Sequence, residues 1–197
     1  MVTSQLAYGG FLLLLGGERL GELVLSRRNA RRMRAQGAVE VGAAHFRVMA
    51  VMHTLFLGAC AAEVYGLGRA FPVPLGYAAL GVALLAQALR YWAIATLGER
   101  WNVRILVLPS APPVTGGPYR YLRHPNYVAV VLEMAAVPLI HGAWLTALGF
   151  SLLDAIILTV RIKKEEQALG PEYARAFAAL PRLLPKLSAA DLRPPRS

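Results

Sequence analysis

Apolar residues gather in long blocks along the chain, separated by short segments rich in arginine, glycine and proline. The first three blocks cover about residues 5–25, 46–69 and 73–97. Each is close to or above the roughly 20 residues that a helix needs to cross a bilayer. The fourth block, 126–161, is long enough for two crossings with a turn at His141-Gly142. The pattern predicts one all-α domain over residues 1–197, a polytopic membrane bundle of about five transmembrane helices.

Composition and charge agree with this prediction. The chain is 56% hydrophobic and only 16% charged, which is too apolar for a soluble domain. The net charge of +10 is concentrated in alternate connections: 26–47, 98–125 and the tail after 161 are basic, whereas 69–74 carries only Arg69. The positive-inside rule therefore predicts a membrane protein with its N-terminus outside and its C-terminus in the cytoplasm. This explanation of the charge needs no nucleic-acid partner.

The connections themselves carry structural signals. Segment 98–125 is too rich in glycine and proline for a long helix, so we expect a folded loop, and its alternating run from Trp101 to Leu108 favours a short strand pair. After the last apolar block, the helix should continue to Glu166, stop at Gly170-Pro171 and restart as an amphipathic helix over about 172–180. A disordered tail is expected over about 188–197. One cysteine and four scattered histidines predict neither a disulfide nor a metal site.

Ionisable side chains occur inside the predicted spans, where each costs roughly 2.5 to 3.5 kcal/mol and so needs a partner or a function. Most lie roughly 9 to 12 Å from the predicted cytoplasmic ends of their helices, by the rise of an α-helix. They can form an ion-pair network that holds the bundle together, or line a polar cavity open to the cytoplasm. The residues at this depth are Glu18, His53, Arg90, Glu133 and Asp154; Arg19 and Glu22 accompany Glu18 in the first predicted span, and Glu63 lies near the outer end of the second.

A second signal is the sequence GGPYRYLRHPNY at 116–127. The glycines and Pro118 predict a turn, and Pro125 predicts the start of a helix with His124 at or next to its N-cap. Arginines beside a helix N-terminus suit a bound carboxylate or phosphate, although an anchor at the lipid headgroups uses the same residue types. Beyond the fourth block, another charged group at a helix end consists of Arg161, Glu165 and Glu166. Charged helix ends are usually solvated, so this group alone does not predict a site.

Together the two motifs identify a family. The sequence RHPNY at 123–127, followed by Arg161, Glu165-Glu166 and GPEYARAFAALPRLLP at 170–185, resembles the isoprenylcysteine carboxyl methyltransferase superfamily, whose wider relatives include phospholipid methyltransferases. The resemblance covers about residues 90–186. It implies a membrane methyltransferase that uses S-adenosylmethionine, releases S-adenosylhomocysteine and has its cofactor-binding part within about 98–186.

The resemblance also implies site residues. The residues expected to enclose the cofactor are Tyr119, Arg123, His124, Pro125, Tyr127, Glu165 and Glu166. Arg161 resembles the family arginine that reaches toward cofactor and acceptor. The candidates for a catalytic base are His53, Glu18, Glu22 and Glu133, and Arg90 or Arg161 would steady an oxyanion. The acceptor would be a lipophilic molecule that enters from the membrane lipids.

The N-terminal half points to one branch of the superfamily. The sequences ERLGELVLSRRN at 18–29 and RYWAIATLGERWNVRILVLP at 90–109 resemble the bacterial branch associated with type III polyketide synthases, which O-methylates alkylpyrones or alkylresorcinols. Carboxyl methylation of an isoprenylcysteine and N-methylation of a phospholipid amine remain alternatives. A membrane scaffold or transporter is the alternative outside enzymes. The sequence does not predict an oligomeric state.

Overall fold

The fold is a bundle of helices, as the hydrophobic pattern predicts. The computed structural model describes residues 2–109 and 111–183, so the predicted tail at about 188–197 and the last residues of the predicted cofactor-binding part lie outside the described residues. The helices are α1 (Val2–Ala35), α2 (Ala43–Gly66), α3 (Leu75–Leu97), α4 (Pro125–Leu139) and α5 (Trp144–Ala176). Two strands, β1 (Val39–Val41) and β2 (Ile105–Val107), pair antiparallel.

Three helices are long and apolar enough to cross a membrane: α2, α3 with its continuation to Arg100, and α5. The other two helices each fail one of these two criteria. Helix α1 is long but carries Glu18, Arg19 and Glu22, whereas α4 is apolar but has only 15 residues, about 22 Å of helix. Five crossings and the orientation in the membrane therefore stay predictions.

The connections divide the bundle into two ends. The predicted turn at His141-Gly142 is confirmed, and with segment 67–74 it forms what we call the opposite end. Segments 36–42, 98–124 and 177–183 lie at the other end, which we call the basic end. The predicted break at Gly170 is also confirmed, since its φ of 75° and ψ of −168° kink α5. The helix after the kink ends at Ala176, earlier than the predicted 180, because Phe177 leaves the helical conformation.

Helices α3 and α4 form the centre of the bundle. The buried side of α3 carries small residues every three or four positions: Gly76, Ala79, Ala83, Ala86 and Ala93. Small side chains let neighbouring helix backbones approach closely, which is how helices associate in lipid. Arg90 occupies the same stripe and is 4% exposed, so the close packing is interrupted at one position by a buried charge.

The strand pair corrects one prediction. The alternating run at 101–108 does contain a strand, but that strand pairs with β1 in the α1–α2 connection and not within its own loop. Glu40 of β1 accepts hydrogen bonds from Arg104, at 2.7 Å, and from Arg34. Partial burial raises the pKa of Glu40, but the hydrogen bonds from these two arginines outweigh it and hold the pKa below its usual value. The ribbon thus ties the long loop to the end of α1.

Glu63 organises the opposite end. Its carboxylate accepts hydrogen bonds from the backbone N–H groups of Leu145 and Thr146, at 3.2 and 2.7 Å, and from the Thr146 hydroxyl, at 2.8 Å. These are among the N–H groups at the start of α5 that have no partner within the helix. Arg69 adds an ion pair at 2.8 Å. Glu63 therefore joins α2 to the start of α5.

Replacing Glu63 by alanine is expected to lower the free energy of unfolding by about 2 to 3 kcal/mol, because buried N–H donors at the start of α5 lose a charged acceptor. The measurement is the midpoint of unfolding in mixed micelles as the denaturing detergent fraction rises. Glu99→Gln is the matched control, since Glu99 is exposed and its ion-pair partner in the described part of the chain is the exposed Arg32. Equal midpoints for the two variants would contradict this role of Glu63.

Candidate active site

A cavity of about 1770 Å³ runs from the basic end into the bundle. At the basic end its wall includes Tyr119, Arg123, His124, Tyr127, Arg161 and Glu165. Deeper, its wall includes Arg19, Glu22, His53 and Arg90. The two groups of residues that the sequence singles out separately, the basic-end motifs and the intramembrane charges, therefore border one continuous space.

The turn before α4 has the form that the sequence predicts. A 3₁₀ turn covers Gly117–Arg120, and α4 begins at Pro125 with His124 as its N-cap residue. Gly117 has a φ of 53°, and a Cβ there would lie 2.2 Å from the Thr96 Oγ1 atom. Only glycine fits this close approach to the end of α3. The turn is thereby pressed against α3 and carries Tyr119 into the cavity wall.

The two motifs meet in space. The Arg161 Nε–H donates to the Tyr127 hydroxyl at 2.9 Å, and that hydroxyl donates to Glu165. The His124 Nε2 atom lies 3.3 Å from Glu166 Oε1, and the His124 ring stacks on Tyr127 at 5.2 Å between centroids. The start of α4 and the second half of α5 thus build one polar site from residues about 40 positions apart in sequence.

Glu165 and Glu166 have different surroundings. Glu165 is part of the cavity wall, whereas Glu166 is not. Glu166 forms an ion pair with Arg182 at 2.6 Å and lies 3.6 Å from Arg123. Hydrogen bonding to Glu166 raises the pKa of Arg182. The site therefore has one carboxylate facing the cavity and one that fastens the C-terminal segment.

The C-terminal segment is also held by the backbone. The N–H groups of Arg123 and His124 donate to the carbonyls of Pro181 and Arg182, at 3.0 and 3.2 Å. The Arg123 side chain donates to the carbonyl of Leu180 at 2.7 Å. The resemblance places Arg123 around a cofactor, but in the structure its backbone and side chain donate hydrogen bonds to the C-terminal segment.

At the basic end, two cavity-wall residues have buried polar atoms with no hydrogen-bond partner among the described residues. They are the Nη1 atom of Arg161, a donor, and the Oδ1 atom of Asn126, an acceptor. Such atoms are rare and costly unless a ligand or water completes them. A molecule with both a carboxylate and a hydroxyl or ammonium group fits this set. Asn126 lies inside the RHPNY motif, yet its side chain was not among the predicted site residues.

Tyr119 forms the apolar part of this site. Its ring is buried and packs in a cluster with Ala93, Tyr173 and Phe177. Burial raises the pKa of Tyr119 and the nearby Glu165 carboxylate adds to the effect, so its phenol stays neutral. Aromatic walls beside a polar group suit a planar ring of a ligand.

Four of the predicted intramembrane charges, Arg19, Glu22, Arg90 and Glu133, form one network across three helices. The guanidinium of Arg90 donates to both oxygens of Glu133, and Arg19 donates to Glu133 at 3.2 Å and to Glu22 at 2.8 Å. Arg19 also donates to Gln87 at 3.0 Å. The network interpretation of the sequence thus holds for α1, α3 and α4.

The remaining predicted catalytic residues are placed unequally. Glu133 is neutralised by two arginines and is not part of the cavity wall. Glu18 is likewise absent from that wall and lies 3.6 Å from Arg19. His53 borders the cavity, and its Nδ1 atom lies 2.9 Å from the Met49 carbonyl of its own helix. Asp154 is buried, and no hydrogen bond joins it to the network among the described residues.

A set of hydrogen bonds from α1 and α5 holds the loop at 101–103 over the site, and we call it the brace. It was not predicted from the sequence. Asn102 donates to the Ser26 carbonyl and accepts from the Ser26 hydroxyl, both at 2.8 Å. Asn29 donates to the Trp101 carbonyl at 2.8 Å. Two residues further along, the Val103 carbonyl accepts a hydrogen bond from Arg161 at 2.9 Å. The signal for the brace in the sequence was the set of polar residues Ser26, Asn29 and Asn102, because a buried amide side chain rarely lacks a hydrogen-bond partner.

Replacing Asn102 by alanine is expected to loosen this loop, because three of its hydrogen bonds to Ser26 and Arg104 are lost. Limited trypsin digestion should then cleave after Arg100 or Arg104 at least several-fold faster. Gln36→Ala, an exposed change near the end of α1, is the control. Identical digestion rates for both variants would contradict the brace.

Comparisons with known proteins show the family to which the chain belongs. The model of the isoprenylcysteine carboxyl methyltransferase (ICMT) family matches residues 79–171. An uncharacterized protein of Bacillus subtilis (strain 168), YpbQ, is 38% identical over 157 residues, covering 80% of this chain and 92% of that protein. An uncharacterized protein of Haemophilus influenzae (strain ATCC 51907 / DSM 11121 / KW20 / Rd) is 30% identical over 159 residues, with the same coverage. The chain belongs to the isoprenylcysteine carboxyl methyltransferase family, whose activity is methyl transfer at a membrane.

Proposed function

We propose that this protein is an S-adenosylmethionine-dependent methyltransferase that O-methylates an amphiphilic acceptor of the alkylresorcinol or alkylpyrone type. The observation that carries the proposal is the single cavity that joins the family motifs at the basic end to the charged residues within the bundle. A transferase needs two ligands to meet in one enclosed space. A scaffold needs no such space.

The basic-end residues fit the cofactor. The free donor of Arg161 suits its carboxylate, and Asn126 and Glu165 suit its ammonium or ribose hydroxyl groups. Tyr119, Tyr173 and Phe177 offer an aromatic wall for its adenine. His124 and Tyr127, stacked on each other, complete the enclosure. When bound, the cofactor supplies an electrophilic methyl group on a sulfonium.

The protein's own part in the reaction is alignment and exclusion of water. Arg161 is fixed at three sides by Tyr127, Glu165 and the Val103 carbonyl, so its guanidinium is already oriented before a ligand arrives. The braced loop at 98–109 covers this residue from the basic end. Arg19 and Arg90 in the deeper wall would stabilise negative charge on an acceptor oxygen.

The choice of an O-methylated phenolic lipid rests on the resemblance of segments 18–29 and 90–109 to the bacterial branch that acts on such molecules. Carboxyl methylation of an isoprenylcysteine and N-methylation of a phospholipid amine stay as alternatives within the family. The deeper wall favours an acceptor with a compact polar group and an apolar chain, because charged residues and apolar helix faces border the same cavity.

The cofactor site predicts a pattern of binding affinities for S-adenosylhomocysteine. The purified protein in detergent should bind this product, and His124→Ala, Arg161→Leu and Glu165→Ala should each weaken binding by about tenfold or more, since a charged hydrogen bond contributes about 1.5 to 3 kcal/mol. Glu166→Ala should weaken binding less than Glu165→Ala, because Glu166 is bound by Arg182 outside the cavity. Isothermal titration calorimetry measures all five proteins.

Arg32→Gln provides the control for these variants, since Arg32 is exposed and pairs with Glu99. No detectable binding by the unaltered protein would overturn the methyltransferase proposal. A larger loss for Glu166→Ala than for Glu165→Ala would reverse the assignment of the two carboxylates.

Acceptor choice is tested by offering a labelled methyl donor with four acceptors in parallel: an alkylresorcinol, an alkylpyrone, a prenylcysteine and phosphatidylethanolamine. We expect label in one or both of the first two. Label only in the prenylcysteine or only in the phospholipid would replace our proposed acceptor by that alternative while leaving the proposed methyltransferase activity intact.

A further inference from the structure

Glu22 is the buried charge that the ion-pair network leaves incomplete on the cavity side. Its Oε2 atom accepts from Arg19 at 2.8 Å and lies 3.8 Å from Arg90 Nη1. Its Oε1 atom is buried and has no hydrogen-bond partner among the described residues. The residue is 9% exposed and forms part of the cavity wall. A buried carboxylate oxygen without a donor is costly, so a ligand that brings a donor would be favoured there.

The chemistry around Glu22 selects the kind of donor. A ligand group beside Oε1 also meets Arg19 and Arg90, which border the same part of the cavity. An ammonium donates hydrogen bonds but accepts none, so it cannot accept from Arg19 or Arg90. An ionised carboxylate accepts but cannot donate to Glu22. A hydroxyl both donates and accepts, so it alone of the three matches the carboxylate and the guanidinium groups together.

The position of Glu22 suits a reacting group. Glu133, which Arg90 links to Glu22, lies six residues beyond Tyr127 on α4, about 9 Å along the helix. Glu22 borders the same cavity as the basic-end residues Tyr127 and Arg161. An acceptor whose hydroxyl is bound at Glu22 and a cofactor held by those residues would share this cavity.

The cavity beyond Glu22 supplies room for an alkyl chain. Toward the opposite end its walls are apolar and come from α1 and α2, and they include Gly9, Leu13, Gly16, Leu57 and Ala61. Leu6 is the α1 residue of this wall that lies farthest from the basic end, and the helix rises about 24 Å between Leu6 and Glu22. Lipid tails are as apolar as these side chains, so the groove orients a chain and adds little affinity of its own.

We propose that Glu22 binds the hydroxyl of the acceptor and acts as the general base of the methyl transfer, with the acceptor's alkyl chain in the groove between α1 and α2. This inference rests on the proposed function and narrows it to weakly acidic hydroxyls such as those of an alkylresorcinol. An alkylpyrone with an acidic enol is already ionised at neutral pH. It needs no base, so Glu22 should contribute little to the rate of its methylation.

The step balances with the residues named. The acceptor oxygen attacks the methyl carbon, so that an O–C bond forms while the C–S bond breaks. The electron pair of the broken bond stays on sulfur, which changes from a sulfonium to a neutral thioether. The proton of the acceptor hydroxyl passes to Glu22 Oε1. Arg19 and Arg90 stabilise the negative charge that develops on the oxygen as the proton leaves.

The test compares Glu22→Gln with the unaltered protein on an alkylresorcinol and an alkylpyrone of equal chain length. Glutamine keeps an oxygen that accepts a hydrogen bond but cannot take a proton at neutral pH. We expect the rate of methyl transfer to the alkylresorcinol to fall by about 100-fold or more, the usual contribution of a general base. The rate with the alkylpyrone should change by much less. Glu99→Gln, at an exposed carboxylate, is the control.

Three results overturn the inference. They are an unchanged rate of Glu22→Gln with the alkylresorcinol, an equal loss with both acceptors, and a loss in His53→Gln where Glu22→Gln is active, which would make His53 the base. Binding of S-adenosylhomocysteine is measured on every variant, so a damaged fold is recognised by the loss of that binding.

A second readout separates this inference from the proposed function. Native mass spectrometry detects whether the alkylresorcinol itself stays bound when the protein is released from detergent. If no acceptor is methylated, the proposed function fails. Binding that is retained in Glu22→Gln but lost in Glu22→Ala would then still support a hydroxyl site at Glu22. Equal binding to the unaltered protein and to both variants would exclude such a site.

Discussion

The rest of the structure depends on how buried charges are paired inside an apolar bundle. Helix association in lipid gains nothing from removing apolar surface from water, so close packing and polar contacts have to hold the helices together. Here the small-residue stripe of α3 provides the close packing, and Arg90 within that stripe meets Glu133 of the short central helix α4. Arg19 extends the contact to α1. Two arginines therefore join three helices.

This pairing also decides what is left for function. Glu133 uses both of its oxygens within the network, whereas Glu22 uses only one. A network that satisfied every atom would be a purely structural core. The incomplete carboxylate lies on the cavity wall and not on the lipid side, so the same charges that hold the bundle together leave a defined polar position for a ligand.

The basic end is built by a different principle, in which the backbone of irregular segments is fastened by side chains. Ser26 and Asn29 of α1 hold the loop at 101–103, the strand pair ties that loop to β1, and Arg123 and Glu166 hold the segment at 178–182. Arg161 lies where these fastened segments meet. Its orientation depends on residues from α4, α5 and the loop, which explains how a site made of connections can be well ordered.

The sequence by itself determined the helical class, the turn at His141-Gly142, the start of α4 at Pro125 and the kink at Gly170. These features follow from local chemistry, namely apolar length, the fixed φ of proline and the conformational freedom of glycine. The two motifs also identified the family, because their residue types and separation are unusual together. The contacts that join them, such as His124 with Glu166, needed the fold.

Only the tertiary structure decided which of the intramembrane charges meet. Depth along a helix follows from sequence, but the rotation of each helix about its axis depends on how all of them pack, so Glu18 and Glu133 could not be told apart from Glu22 in advance. The same reason separates the adjacent carboxylates Glu165 and Glu166, of which only Glu165 lines the cavity. The pairing of β2 with β1 likewise depended on where α1 ends in space.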